Sequence, residues 1–199
     1  MKTYILLDND GVTNAFGQMH YLKGKRSSAM TELNPDNWRS KVIEGYTIQY
    51  NTDVVDTFNE LTSGAADELV VLSTWEHLSI THYYPELGIE FPEGTKVLEN
   101  VYENSIDYSL GWGGWHRVWW KLLAVKDFCE TLEEDSRIVW IDDDHKFYEV
   151  SVSEYTENHP LVKFLVVSPE PTFGLTKKNL DVIRDFINEP ENTGAERIV

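Results

Sequence analysis

The sequence predicts an α/β fold built on a mainly parallel, five-stranded sheet. Two observations carry that prediction. Short apolar runs recur at residues 4–7, 69–73, 96–99, 137–141 and 162–167, each the length of a strand buried on both faces. Segments of helical period separate them. Val54, Val55, Phe58 and Leu61 fall on one face, as do Trp115, Val118, Trp119, Leu122, Val125, Phe128 and Leu132, and later Leu180, Ile183, Phe186 and Ile187. Strands that alternate with helices make a parallel sheet.

In order, the first run passes straight into Asp8-Asn9-Asp10-Gly11. A continuing strand would point both carboxylates the same way, roughly 6–7 Å apart, and Gly11 lets the chain turn without a Cβ penalty. Residues 14–50, punctuated by Gly17, Gly24, Pro35 and Gly45, interrupt the passage to the first helix and read as an insertion, with a short strand at 45–50. Asn51 or Thr52 caps that helix, Asp53 sits in its first turn and Gly64 ends it. After the second strand a helix at 75–84 stops at Pro85. A loop at 102–114 closes on Gly111-Trp112-Gly113-Gly114 and leads into the long helix that starts near Trp115. The fourth strand runs into Asp142-Asp143-Asp144, and Thr176 caps the last helix. A single domain spans 1–188, and residues 189–199, with Pro190 and Gly194, form a flexible tail.

Composition narrows the function classes. The chain has 199 residues and a formal charge of −17, which opposes long-duplex nucleic-acid binding and anionic membrane surfaces. Residues 14–50 run against that trend: Lys23, Lys25, Arg26, Arg39 and Lys41 face Glu32, Asp36 and Glu44, for +2. A locally positive segment on an acidic body suits a phosphate, or is simply a solvated face. Cys129 is the only cysteine, so neither an internal disulfide nor a cysteine metal cluster is available, which fits a reducing cytoplasmic setting. Met1-Lys2-Thr3 leads directly into the first strand with no room for a signal peptide, and no apolar run approaches the ~20 residues of a membrane span.

The chemistry-bearing residues sit where a parallel sheet presents them. Ligands bind at the C-terminal edge of such sheets, and Asp8, Ser73 and Asp142 all lie at the ends of apolar runs. Close carboxylates repel unless a cation stands between them or one stays protonated, and a divalent metal with an incoming phosphate meets that need. A calcium loop of the EF-hand kind is excluded, since its closing glutamate would fall where Met19 stands. Asp142-Asp143-Asp144 reads as a metal site or as a solvated turn, and the apolar run leading into it favours the metal.

In chain order the sequence therefore presents Asp8 and Asp10, then Ser73, then Lys121, then Asp142 and Asp143. The stretches that carry them are Leu6-Leu7-Asp8-Asn9-Asp10-Gly11-Val12, Val71-Leu72-Ser73-Thr74-Trp75-Glu76, Trp120-Lys121-Leu122, Trp140-Ile141-Asp142-Asp143 and Gly174-Leu175-Thr176. On these, from residue 4 to about 187, the chain resembles the haloacid dehalogenase (HAD) superfamily. Within it, the chain is most similar to the domains associated with Swiss Army Knife RNA repair proteins.

The resemblance implies a HAD-like Rossmannoid three-layer sandwich with a small cap insertion after the first strand. It implies a Mg²⁺-dependent phosphomonoester hydrolase that forms an aspartyl-phosphate. Asp8 is then the nucleophile and a metal ligand. Asp10 moves the proton and offers its backbone carbonyl to the metal. Asp142, with Asp143, completes the metal's shell, and Asp144 is the spare, although the run leaves open which two of the three bind. Ser73 and Thr74 hold phosphoryl oxygens, and Lys121 neutralises charge on them and on Asp8. Lys126 competes for that part, and the position directly after Trp119-Trp120 favours Lys121. Lys23, Lys25, Arg26 and Arg39 of the insertion are candidate substrate contacts, and the implied substrate is a phosphorylated small molecule, nucleotide or nucleic-acid end.

Trp119 and Trp120 read as core residues, and for Trp112 and Trp115, flanked by glycines beside the expected site, stacking on a base is the lesser of two readings. The six histidines show no metal spacing, and His145 reads as a surface residue beside the acidic run. Two other readings remain. A receiver domain would place its acceptor Asp after the third strand, where Glu99-Asn100 stands instead. A non-catalytic acidic interaction protein on the same fold is separated from an enzyme by Mg²⁺-dependent phosphate release.

Overall fold

The computed structural model describes residues 1–16, 33–64, 66–92, 94–101, 119–157, 159, 161–188 and 197–198. In chain order these form β1 (Lys2–Leu7), a hairpin of β2 (Trp38–Ile43) and β3 (Tyr46–Asn51), and helix α1 (Thr52–Gly64). Then come β4 (Glu68–Val71), a π-helical turn (Ser79–Tyr83) leading into α2 (Tyr84–Leu87), and β5 (Lys96–Val97). They are followed by α3 (Trp120–Glu130), β6 (Ser136–Ile141), a 3-10 turn (Asp143–Phe147), α4 (Glu149–Glu157), β7 (Val162–Val167), α5 (Lys177–Asn188) and β8 (Arg197–Ile198).

The main sheet is ordered β5-β4-β1-β6-β7-β8, and every neighbouring pair is parallel. The α/β class and the parallel sheet are therefore as the sequence predicts. β8, two residues long, adds a sixth strand beside β7 from the segment read as a tail. Alternation along β1 decides which helices cover which face. Ile5 and Leu7 pack with Phe58 and Leu61 of α1 and Leu180 and Ile183 of α5. Tyr4 and Leu6 pack with Leu122 and Val125 of α3 and Val152 of α4 on the other side. Ile5, Leu6 and Leu7 are fully buried, and each such side chain contributes about 1.5–3 kcal/mol of burial free energy. Because β1 lies between β4 and β6, with Leu7 level with both Val71 and Ile141, the residues that follow these strands emerge at one edge.

Helix ends follow local chemistry. The Asn51 side chain accepts the Asp53 N–H at 2.8 Å and so caps α1. Thr176 and Asn179 bond reciprocally at the start of α5: the Asn179 N–H donates to Thr176 Oγ1 at 3.3 Å and the Thr176 N–H to Asn179 Oδ1 at 2.9 Å.

Several elements differ from the sequence reading. Pro85 does not stop a helix; it sits in the first turn of α2, where its missing N–H is not needed. Gly88, at φ 81°, ends that helix. The third strand is shorter than residues 96–99. Trp119 has extended backbone angles at the start of α3, so the helical spacing read from Trp115 does not continue unbroken through it. Within the insertion the structure has a hairpin rather than one short strand, turned by Glu44 and Gly45 at φ 51° and 84°, the left-handed pair that a two-residue hairpin turn needs. α4 was not anticipated, because its sequence has little apolar periodicity and buries only Val152 and Thr156. No described helix is long and apolar enough to cross a membrane.

Candidate functional site

Asp8 follows β1, Asp142 follows β6, and these strands are neighbours. The sheet ladder continues one step past each strand: the Asp8 N–H donates to the Ile141 carbonyl at 3.1 Å and the Asp142 N–H to the Val167 carbonyl at 3.0 Å. Lys121, in the first turn of α3, reaches across from the helical layer. Its Nζ donates to Asp8 Oδ2 and to Asp142 Oδ2, both at 2.7 Å, and all three side chains are buried. Asp143, opening the 3-10 turn, joins them: Asp8, Asp142 and Asp143 each offer a carboxylate oxygen within 4.8 Å of the others.

Remaining lone pairs are partly met by backbone. The Asn9 N–H donates to Asp8 Oδ1 at 2.8 Å, and the Asp144 N–H to Asp142 Oδ1 at 3.0 Å. Gly11 has φ +69°, and a Cβ there would fall 2.3 Å from Asp143 Cγ, so both the turn and the close approach of the carboxyl require glycine.

One ammonium cannot balance three buried carboxylates. Burial pushes the Asp8 carboxyl above its usual range, against the opposing pull of Lys121 and a hydrogen bond from Ser73. Burial pushes Asp142 up further; Lys121 opposes this and the Asp8 charge adds to it. Asp143 is raised to about 7 by burial and by the charges of Asp144 and Asp8. Burial works against the Lys121 charge, but Asp142 and Asp8 outweigh it and hold the ammonium above its ordinary pKa. A buried excess of negative charge on oxygen donors alone is what a hard divalent cation compensates. The residues thus fit Mg²⁺, with no sulfur or imidazole in the group.

Asp10 is handled separately. The strand expected to carry both acids ends at Leu7, and the chain turns tightly, the Asn9 carbonyl accepting the N–H groups of Thr13 and Asn14 at 3.0 Å each. Asp10 is therefore not a strand partner of Asp8, and its carboxylate lies outside the group of three. Its Oδ1 accepts from Asn14 Nδ2 at 2.8 Å and its Oδ2 from Trp75 Nε1 at 2.9 Å.

Ser73 is fully buried beside Asp8, while Thr74 is exposed. The choice between the two lysines falls to Lys121, since Lys126 Nζ lies over the Tyr155 ring at 5.3 Å. Arg39 is exposed on β2, its Nη1 donating to the Asp36 and Trp38 carbonyls at 2.7 and 2.9 Å, and it makes no contact with the carboxylates. Lys23, Lys25, Arg26, Trp112 and Trp115 lie outside the described residues. His145 is not a surface residue: it is buried, edge-on to Trp140 and Trp119 at 4.5 and 5.4 Å. Trp119 is core, stacked between Trp140 and Tyr148.

Sequence reasoning missed the parts of Asn14 and Trp75. Asn14 has a local signal, four residues past Asp10, but Trp75 is 65 residues away and only the fold brings it there. Compared with protein-family models, curated proteins and solved structures, the chain matches none.

Proposed function

We propose that this chain is a Mg²⁺-dependent phosphomonoester hydrolase of the HAD type, working through an aspartyl-phosphate on Asp8. The observation that carries the reading is the Lys121 ammonium bridging Asp8 and Asp142 at 2.7 Å each, with Asp143 beside them, at the edge where a parallel sheet binds ligands. A purely structural role is a poor account of three converging buried acids, because burying them uncompensated is costly.

Mg²⁺ held by Asp8, Asp142 and Asp143 would polarise the phosphoryl oxygens and offset the negative charge that resists attack. Lys121 adds a second positive charge beside Asp8, and Ser73 supplies a hydroxyl donor from the end of β4. An Asp8 oxygen forms a bond to phosphorus while the bond to the leaving oxygen breaks. Asp10 gives that oxygen a proton. Water then attacks phosphorus, Asp10 takes its proton, and inorganic phosphate leaves Asp8 restored. The β2–β3 hairpin, as a small cap carrying Arg39, together with Thr74 and the basic residues Lys23, Lys25 and Arg26, meets the rest of a nucleotide or nucleic-acid end.

The test is a phosphate-release screen over nucleotides, phosphorylated oligonucleotides and sugar phosphates with Mg²⁺. Turnover that disappears in Asp8→Asn supports the reading. A protein inactive on the whole panel, or an Asp8→Asn variant as active as the wild type, overturns it in favour of a non-catalytic interaction protein.

A further inference from the structure

We infer, on the basis of the phosphatase reading, that Trp75 is a positioning residue whose indole N–H fixes Asp10 at the angle from which it hands a proton to the leaving oxygen. Asp10 is half-buried on a turn, and a free carboxylate there would sample several orientations. Two donors remove that freedom, because they hold different oxygens: Asn14 Nδ2 holds Oδ1 at 2.8 Å and Trp75 Nε1 holds Oδ2 at 2.9 Å. Each oxygen keeps a second lone pair, so the clamp leaves room for the travelling proton. An indole N–H donates and never accepts, so Trp75 orients the acid without competing for its proton.

The indole is itself held. Its ring packs on Tyr83 at 5.1 Å and 57° and meets Tyr46 of the hairpin at 5.4 Å and 65°. Tyr83 is fully buried, and its hydroxyl pairs with Thr13 Oγ1 at 2.9 Å, on the same turn as Asp10. The Trp75 backbone N–H, distinct from the indole, donates to Ser73 Oγ at 3.4 Å. Trp75 therefore links the β4 end that carries Ser73 to the β1 loop that carries Asp10.

A residue that acts through the proton donor has a kinetic signature that packing lacks. Protonation matters in proportion to the basicity of the leaving oxygen. An alkoxide from a sugar or nucleoside needs the proton, whereas 4-nitrophenolate leaves without it. Trp75→Phe keeps the ring and removes the N–H. Because Asp10 also takes a proton in the later hydrolysis of the aspartyl-phosphate, which is common to all esters, the leaving-group step is read from kcat/KM. For an alkyl phosphomonoester kcat/KM is expected to fall about tenfold or more, part of the ~10²–10⁴-fold that general acid catalysis supplies, and for 4-nitrophenyl phosphate to change less than about threefold. In an Asp10→Asn background the same substitution should add no further loss.

Nuclear magnetic resonance of the wild type gives a readout that does not depend on Trp75→Phe folding. The Trp75 indole proton should lie downfield and move upfield in Asp10→Asn, where an amide replaces the carboxyl acceptor. An active wild type whose Trp75→Phe variant lowers kcat/KM for both esters equally, or for neither, would overturn this inference alone, as would an indole proton indifferent to Asp10→Asn. A wild type without turnover on either ester removes the phosphatase reading and this inference with it.

Discussion

Gly11 and Asp143 are packed so closely that a β-carbon on the glycine would lie 2.3 Å from the carboxyl carbon of the acid. The contact joins the first acidic loop to the last, and the φ of +69° at Gly11 makes the approach possible. Gly11→Ala should lower stability by about 1–3 kcal/mol through strain alone, and more through displacement of Asp143. Gly45→Ala is the control: φ is +84°, but nothing lies within 4 Å of its Cβ. Urea unfolding of both variants should show the larger loss at Gly11. Equal losses would mean that the Asp143 contact costs nothing.

Lys121→Met should destabilise the metal-free protein by about 3–5 kcal/mol, the usual consequence of leaving buried charges unpaired. Asp8 and Asp142 would then face one another without the ammonium that now sits between them. Denaturation in the presence of a chelator measures the loss, and added Mg²⁺ should narrow it. A Lys121→Met protein as stable as the wild type would show that the carboxylates had already taken up protons.

Mg²⁺ should raise the thermal midpoint of the wild type. A cation that binds only the folded state stabilises it by about 2.7 kcal/mol at a hundred times its dissociation constant. Asp142→Asn, which removes one of the gathered carboxylates, should abolish most of the shift, and chelator should reverse it in the wild type. Identical melting curves with and without Mg²⁺ would count against the metal assignment.

Cys129 offers a pH test away from the site. Burial pushes its thiol up to about 11 from a value of 9.0, only partly opposed by a hydrogen bond with Tyr155. The folded state thus keeps a proton that the unfolded chain releases first. The contribution to stability is fully present below pH 9 and is lost as pH rises toward 11. Alkylation at pH 8 should proceed only with unfolding, and the decline in stability between pH 9 and 11 should be shallower in Cys129→Ala. Rapid alkylation of the native protein would show the thiol to be accessible.

Legibility varied with the range of the interaction that decides each feature. Five of the six strands of the main sheet were readable because continuous apolar runs have few fates other than burial on both faces, as in Ile5-Leu6-Leu7 and Ile138-Val139-Trp140-Ile141, whereas the two-residue β8 has no such run and was read as tail. The cap at Thr176 was readable, and that at Asn51 was narrowed to Asn51 or Thr52, because a cap is decided within a few residues. The hairpin's first strand was not, since Trp38–Ile43 buries only its last residue and gives no alternating pattern. The part of Pro85 was misread because a proline is tolerated at a helix start and excluded from a helix interior, and local sequence does not say which applies.

By itself, the sequence determined the α/β class, the parallel sheet and the list of acids at strand ends, since burial pattern and residue type are properties of short segments. Only the tertiary structure decided which acids meet. Strand order puts β1 beside β6 and so brings Asp8 to Asp142, and the crossover that ends in α3 places Lys121 between them. The turn after β1 takes Asp10 away from that group and gives it to Asn14 and Trp75. Convergence of this kind depends on contacts between residues tens of positions apart, and no window along the chain contains both partners.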